Sequence, residues 1–306
     1  MVLDKIGLTG STGMLGSHIR SFLEEKNIEV ISLSRHQKIN VNFHWDQRDW
    51  LSMDDFDEIF SGVRAIIHAG AKVSPLASES YEDQEIFDAN IRSCFNLGEW
   101  AIYRKIPLIF ISGAIVYEDI YKKHQIESDS LGWNGYGGFY GFSKLLAEDI
   151  FFRLRARGLK VAVVRPTSIY GYGMPSGSII IKFLSSAIHN QTINIYQPID
   201  EQIDFIHAND VASAAFEILI KEKWNTYNLA SGTPISIQEL ANSCITVAKK
   251  GNIKILGEEE DKTKAKSLYY LDTSFANTDL GWSPKVQIND GLKLILDKIN
   301  LEDQDD

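Results

Sequence analysis

The chain has 306 residues, 44% hydrophobic and 24% charged, the balance of a soluble globular protein rather than a disordered or fibrous one. Its net charge of -10, with no long basic cluster, speaks against nucleic-acid binding through a broad basic face. No apolar run approaches the ~18 residues of a membrane-spanning helix. The only cysteines, Cys94 and Cys244, lack CxxC spacing, which disfavours a disulfide scaffold or cysteine zinc site; no metal is expected, and a reducing cytoplasm fits.

The N-terminus enters a strand without a basic-then-apolar leader. Lys5–Thr9 reads as that strand, Met14–Lys26 as a helix and Glu29–Leu33 as a second strand, with a weaker one at Asn40–His44. Ala65–Ala69 and Leu108–Ser112 are short, apolar and β-branched, as strands covered on both faces tend to be. Helices are predicted at Asp88–Arg104 and Phe142–Arg157, then a strand at Lys160–Val164 stopped by Pro166. This alternation predicts an α/β fold, a Rossmann-type doubly wound parallel sheet. Beyond it, Val211–Ile220 and Ile237–Lys249 read as helices among glycine- and proline-punctuated loops. The expected organisation is a dinucleotide-binding domain over 1–170 and a smaller C-terminal α/β substrate-binding domain over 171–300, partly interleaved with the first. An acidic solvated tail over 301–306 is expected to follow.

Between the first strand and first helix lies Thr9-Gly10-Ser11-Thr12-Gly13-Met14-Leu15-Gly16. A dinucleotide needs a tight turn there, an open approach of backbone to pyrophosphate, and close helix–strand packing. Gly10, Gly13 and Gly16 supply these, and the helix N-terminus adds N–H donors for the anion. Thr12, Met14 and Leu15 belong to the same cradle. The second strand ends in Ser34-Arg35 where a NAD site usually places a carboxylate. An uncharged Ser34 beside cationic Arg35 favours NADP over NAD. Asp46 is a candidate acceptor for the adenine amine. Further on, Tyr140 and Lys144 are four residues apart on one helix face, where an ammonium would lower the phenol's pKa toward useful acid–base behaviour.

With both motifs in place, the sequence resembles the extended short-chain dehydrogenase/reductase family, the NAD(P)-dependent sugar-nucleotide epimerases, dehydratases and ketoreductases. The likeness runs through TGSTGMLG (9–16), AIIHAGAKV (65–73), Asn90 in NIRSCFNL, FISGAIVY (110–117) and YGFSK (140–144). It continues through RPTSIYG (165–171), DFIHANDVA (204–212), YNLASG (227–232) and LGWSP (280–284). The resemblance implies Tyr140 as acid/base and Lys144 as the residue that holds the nicotinamide ribose. It puts Ala69, Gly70 and Ala71 along the cofactor's phosphate–ribose stretch, and Pro166 and Thr167 near its amide. It adds Asn90 to the cofactor set as a brace for the helix entering the site. His207 is better explained by a structural hydrogen bond than by catalysis.

Three departures qualify it. The family's active-site hydroxyl falls on Gly113, with Ser112 one position earlier. Neighbouring strand residues face opposite ways, so Ser112 serves as the catalytic hydroxyl only if the backbone bulges; otherwise Tyr117 or a water must. The family's phosphate-gripping arginines correspond to Ile203 and, loosely, Lys262, the candidate substrate residue, and lysine lacks arginine's bidentate fork. Ala114 and Ile115 stand where the dehydratases carry an acidic pair, which leaves dehydration the least supported reaction. The expected function is hydride transfer to or from a sugar carbon, most naturally of a nucleotide sugar, as ketoreductase or epimerase. Ile203 keeps a non-sugar ketone or aldehyde reductase open, and Gly113 a catalytically silent cofactor sensor. The resemblance also suggests a homodimer through the helices around 90–104 and 142–157.

Overall fold

The computed structural model describes residues 3–35, 41–73, 80–119, 121–196, 199–257 and 270–305. In the first half the chain alternates β1 (Lys5–Thr9), α1 (Met14–Glu25), β2 (Glu29–Ser34), β3 (Phe43–His44), α2 (Met53–Ile59) and β4 (Ala65–His68). Then come α3 (Ser80–Ile86), a π-helical stretch Phe87–Arg92, α4 (Ser93–Arg104), β5 (Leu108–Ile111), α5 (Gly138–Ala156) and β6 (Val161–Pro166). The second half holds β7 (Ser168–Tyr170), α6 (Ile179–Ile188), β8 (Thr192–Tyr196), β9 (Gln202–Ile203), β10 (Phe205–His207) and α7 (Ala208–Lys221). It closes with β11 (Thr226–Leu229), β12 (Ile235–Ser236), α8 (Ile237–Ala248), β13 (Asn252–Leu256), α9 (Ser274–Leu280) and α10 (Ile288–Asp305).

Seven parallel strands form the main sheet in the order β11-β6-β5-β4-β1-β2-β3, the Rossmann-type α/β architecture. Its apolar strands alternate between two covered faces. Leu8, Ile67 and Ile109 join Ile19 of α1 and Val211 of α7 in one core. Ile66, Leu108 and Phe110 join Phe56 of α2, Leu97 of α4 and Phe151 of α5 in the other. The strand order reverses beside β1, and the crevice at the carboxyl ends of β1 and β4 is where open α/β sheets bind ligands.

Pro166 does not stop β6. It is the last residue of that strand and pairs with Leu229, at an end where a missing N–H costs no ladder bond. β11, distant in sequence, adds the seventh strand, and α7 and α9 cover the first core through Ile218 and Leu280. A third core, built on Phe183, Leu184, Leu240, Cys244, Leu292 and Ile295, unites α6, α8 and α10. The acidic end is not a separate tail, because α10 runs through to Asp305. Both cysteines are free and buried. Among the described residues no helix is long and apolar enough to cross a membrane, and no group of three or more His, Cys, Asp or Glu is placed to hold a metal ion.

Candidate active site

The glycine turn forms the floor of a cleft of about 710 Å³. Gly10 has φ +68°, and a Cβ there would lie 2.5 Å from the Cα of Gly70. At Gly16 a Cβ would fall 2.0 Å from the carbonyl oxygen of Gly10. Only glycine lets turn, helix and β4 segment approach this closely. No side chain caps α1 at Gly13, so its first-turn N–H groups keep their capacity for an anion. Gly10, Thr12, Gly13, Met14, Leu15 and Gly16 all line the cleft. A cradle of backbone donors that any side chain would fill fits a dinucleotide pyrophosphate.

Toward the outside the cleft continues into a space of about 300 Å³ between Ser34, Arg35, Asp46, Gly70 and Lys72. Ser34 is hydrogen-bonded through its hydroxyl to that of Thr12. Asp46 is already engaged: Arg48 donates from Nε to Oδ1 at 3.0 Å and from a terminal nitrogen to Oδ2 at 2.7 Å. The guanidinium holds the Asp46 carboxyl below the usual range. Arg48 also donates to Glu85 at 2.7 Å, and Lys72 pairs with the same carboxylate. Asp46 therefore reaches the adenosine end of the cleft as part of a charge network: Oδ1 accepts a second bond from the Arg48 backbone N–H at 3.0 Å, and Oδ2 accepts one. Gln47, Lys72 and Trp45, absent from the sequence-based set, also line this end.

At the inner end α5 begins at Gly138, four residues before the predicted start, so Tyr140 lies in its first turn. Its N-cap, Gly137, has φ +73°, a left-handed conformation that glycine adopts without cost. Tyr140, Lys144, Ser112, Pro166 and Thr167 share one cleft with the glycine turn, and Ala69 and Ala71 line its opposite approach. The Lys144 ammonium is buried, donates to the Ile111 carbonyl at 2.8 Å and lies 5.8 Å from the centre of the Tyr140 ring. Burial pulls that amine down to about 8. Burial likewise pushes the Tyr140 phenol up to about 12, so the lysine-driven depression expected from the sequence is absent. One of the ammonium's three donors goes to a backbone carbonyl, and desolvation of the phenolate is what raises the phenol.

Ser112 needs no bulge. The β5 ladder ends as its N–H donates to Val164 at 2.8 Å, Gly113 is fully extended, and the chain then enters a 3₁₀ turn at Ala114–Val116. Strand alternation stops there, and both Ser112 and Gly113 line the cleft. The Ser112 Oγ is buried without a hydrogen-bond partner in the protein, so it keeps both its donor and its acceptor capacity. Tyr117 is excluded as the substitute. It is fully buried, donates to Asn228 at 2.6 Å, accepts from Arg165 at 3.0 Å, and lies outside the cleft lining.

Asn90 lies outside the cleft lining and braces the wall behind it. From the π-helical stretch its Oδ1 accepts from the Lys72 N–H at 2.7 Å, while its Nδ2 donates to the Lys72 carbonyl and to Ser143. It thereby ties the strand-end segment at Ala71–Val73 to α5 behind the cleft wall. Thr167 donates to Asp204 at 3.0 Å. His207 caps α7 by accepting from the Asn209 N–H at 3.2 Å, and burial lowers its pKa to about 4. Ile203 packs against the C-terminal core, and Lys262 lies outside the described residues. Sequence reasoning missed Tyr136, Met174 and Pro175 in the lining.

Residues 6–230 match the profile of the NAD dependent epimerase/dehydratase family. A putative UDP-glucose 4-epimerase from Methanocaldococcus jannaschii is 28% identical, over 94% of this chain and 96% of its own. Among solved structures, UDP-N-acetylglucosamine 4-epimerase from Bacillus cereus superposes with TM-score 0.83 at 22% identity, covering 97% of this chain and 96% of that one. UDP-glucose 4-epimerase from Thermus thermophilus, in complex with NAD, gives 0.80 at 20% identity, over 97% and 99%. These structural likenesses carry the fold.

Proposed function

The chain belongs to the NAD-dependent epimerase/dehydratase family, and from that premise we propose that it is a ketoreductase or epimerase acting on the carbonyl or hydroxyl carbon of a nucleotide-linked sugar. A bound nicotinamide would supply or accept the hydride. Tyr140, whose phenol keeps its proton near neutral pH, would donate that proton to the oxygen in the reducing direction. The unpartnered Ser112 hydroxyl would hold the same oxygen. Lys144, anchored on Ile111, would hold the nicotinamide ribose, and Pro166 and Thr167 would line the amide end. Gly10 to Gly16 and Ala69 to Ala71 would carry the phosphates and ribose.

The observation that carries this reading is the meeting of Tyr140, Lys144 and an unpartnered buried serine on the wall of the glycine-turn cleft. Ala114 and Ile115 put no carboxylate beside the reacting carbon, which argues against dehydration. The Ser34–Arg35 end of β2 supports NADP as the preferred cofactor and, through it, net reduction. The same reading seats a second copy of this chain on α4 and α5, where Phe95 and Tyr103 stand exposed. Ile203, packed in the C-terminal core, favours a non-sugar ketone as the second reading.

Tyr140→Phe tests the reading. Turnover is expected to fall by roughly 10²–10⁴, while the cofactor dissociation constant, followed by nicotinamide fluorescence, stays the same. Unchanged turnover would remove Tyr140 from the chemistry, and no turnover in the parent protein would favour a sensor.

A further inference from the structure

The segment that follows β7 comes back to the glycine turn. Gly173, Met174 and Pro175 line the cleft together with Met14, Leu15 and Gly16, and a Cβ on Gly173 would lie 3.8 Å from the Cα of Met14, the first residue of α1. A side chain of α1 holds this segment. His18 donates from Nε2 to the Tyr172 carbonyl at 3.1 Å, since a carbonyl oxygen can only accept. The imidazole lies hard against the backbone there. A Cβ on Gly171 would fall 2.9 Å from the same nitrogen, so glycine at 171 is what lets the ring approach. The other edge of the ring is fixed from α7: the Asn209 side-chain amide meets Nδ1 at 2.6 Å, and the His207 ring stands edge-on with its centre 5.4 Å away. Past Tyr172 the chain turns at Gly173, with φ +88°, and Tyr172 and Met174 pack against the C-terminal core.

Resting on the reading of the cleft as a dinucleotide site, and not on the chemistry of Tyr140, we infer that His18 is a positioning residue for the cofactor. By tying Tyr172 to α1 it keeps residues 173–175 as a second wall beside the helix end that receives the pyrophosphate. The imidazole itself lies outside the cleft lining, so its effect passes through the segment and not through contact with the ligand. The two ring nitrogens divide the work: α7 orients the ring through Nδ1, and Nε2 holds the segment. Without the Nε2 bond the segment samples conformations in which the wall is displaced, and the apparent affinity for the dinucleotide falls with the population of the binding-competent one.

The test compares His18→Ala, His18→Gln and His18→Asn in the full chain. A glutamine amide nitrogen reaches the place of Nε2, whereas an asparagine amide reaches only that of Nδ1. Nicotinamide fluorescence reads the dissociation constant of whichever of NADPH and NADH the parent protein binds more tightly. His18→Ala is expected to raise it about three- to tenfold. His18→Gln should restore the parent value, and His18→Asn should behave like alanine. Amide hydrogen exchange without cofactor supplies a second readout: the peptide over 172–178 should exchange faster in the alanine and asparagine variants, while peptides from α10 stay as in the parent. An unchanged dissociation constant in His18→Ala overturns the inference. So does rescue by asparagine and not by glutamine, which would place the role of the ring on the α7 side. Equal weakening in all three variants, with faster exchange throughout α1 and α7, also overturns it and makes His18 a packing residue only. Should His18→Ala not fold, the glutamine and asparagine variants decide. Failure of the cofactor reading looks different, because it appears in the parent protein: binding of neither NADPH nor NADH there overturns both readings, whereas failure of this inference alone leaves parent binding intact.

Discussion

The two ends of the cleft are built on opposite electrostatic plans. At the adenosine end the charges are numerous, partly exposed and paired with one another: Asp46 with Arg48, Arg48 with Glu85, and Glu85 with Lys72. At the catalytic end they are few and buried. Lys144 rests on a backbone carbonyl, and behind it the Arg165–Glu148 pair is almost wholly sequestered, with side chains 2% and 1% exposed. Water screens the first set and leaves each pair worth only about 0–1 kcal/mol. It cannot reach the second, where an unmatched charge costs several kcal/mol. The outer end is thus free to vary in cofactor selectivity, whereas the inner end makes chemistry and folding depend on the same groups.

Glu148→Ala breaks this contrast most severely if it is wrong. Glu148 receives three contacts from the Arg165 guanidinium at 2.7–3.1 Å. The same guanidinium reaches the Tyr117 hydroxyl and the Glu127 carbonyl, both at 3.0 Å. Removing the carboxylate leaves a buried cation on neutral acceptors alone, and urea unfolding is expected to show a loss of about 3–5 kcal/mol. Arg48→Ala at the outer end should cost less than about 1 kcal/mol in the same measurement. Similar losses from both would mean that the two ends do not differ in kind.

That division also decides what the sequence could disclose. β1, β2, β4 and β5 were legible because each is a contiguous apolar run covered on both faces. The glycine turn was legible because strand, turn and helix are adjacent in the chain, so spacing alone encodes the cradle. The Tyr140–Lys144 pair followed from helical periodicity. What escaped depends on contacts between distant segments. Ile115 meets Gly137 and Gly141 only after α5 has started early, and Asp46 is claimed by Arg48 and, through it, tied to Glu85. The phenol pKa escaped for the same reason, since the sequence shows a neighbouring lysine but not the desolvation that outweighs it. Likewise β11 bears no mark that it will extend a sheet begun more than 200 residues earlier.

Acid titration sharpens the contrast further. His207 is neutral in the folded protein, its pKa lowered to about 4 first by burial and then by the nearby His18. His68, bonded to Thr9 at 2.8 Å, is lowered to about 3 by burial and by Lys144. Between these values and about 6.5 the unfolded chain binds protons that the folded one does not, so stability falls as pH drops through that window. The outer carboxylates behave differently. The pKa of Asp46 is lowered by Arg48, so its contribution is present above the unfolded value and disappears only as pH falls below about 4. His207→Asn retains an acceptor for the α7 cap and removes the titration. It is expected to recover on the order of 3 kcal/mol of the loss at pH 4 relative to pH 7. An unchanged slope in that variant between pH 6.5 and 4 would show that His207 is already free to ionise.

A modest effect, on binding and not on folding, is expected at the outer end. Arg35 is exposed and acts on a 2′-phosphate through partly screened charge, so Arg35→Ala should weaken NADPH binding by about tenfold, or ~1.4 kcal/mol. NADH has no phosphate there, and its dissociation constant should be unaffected. Raising the salt concentration should erode the NADPH preference of the parent protein and leave the variant nearly insensitive, because only the parent has the charge pair to screen. Tighter binding of NADH than NADPH by the parent protein would refute the assignment made from Ser34 and Arg35. It would leave Tyr140, Lys144 and Ser112 untouched, since they line the inner cleft and not the space at the adenosine end.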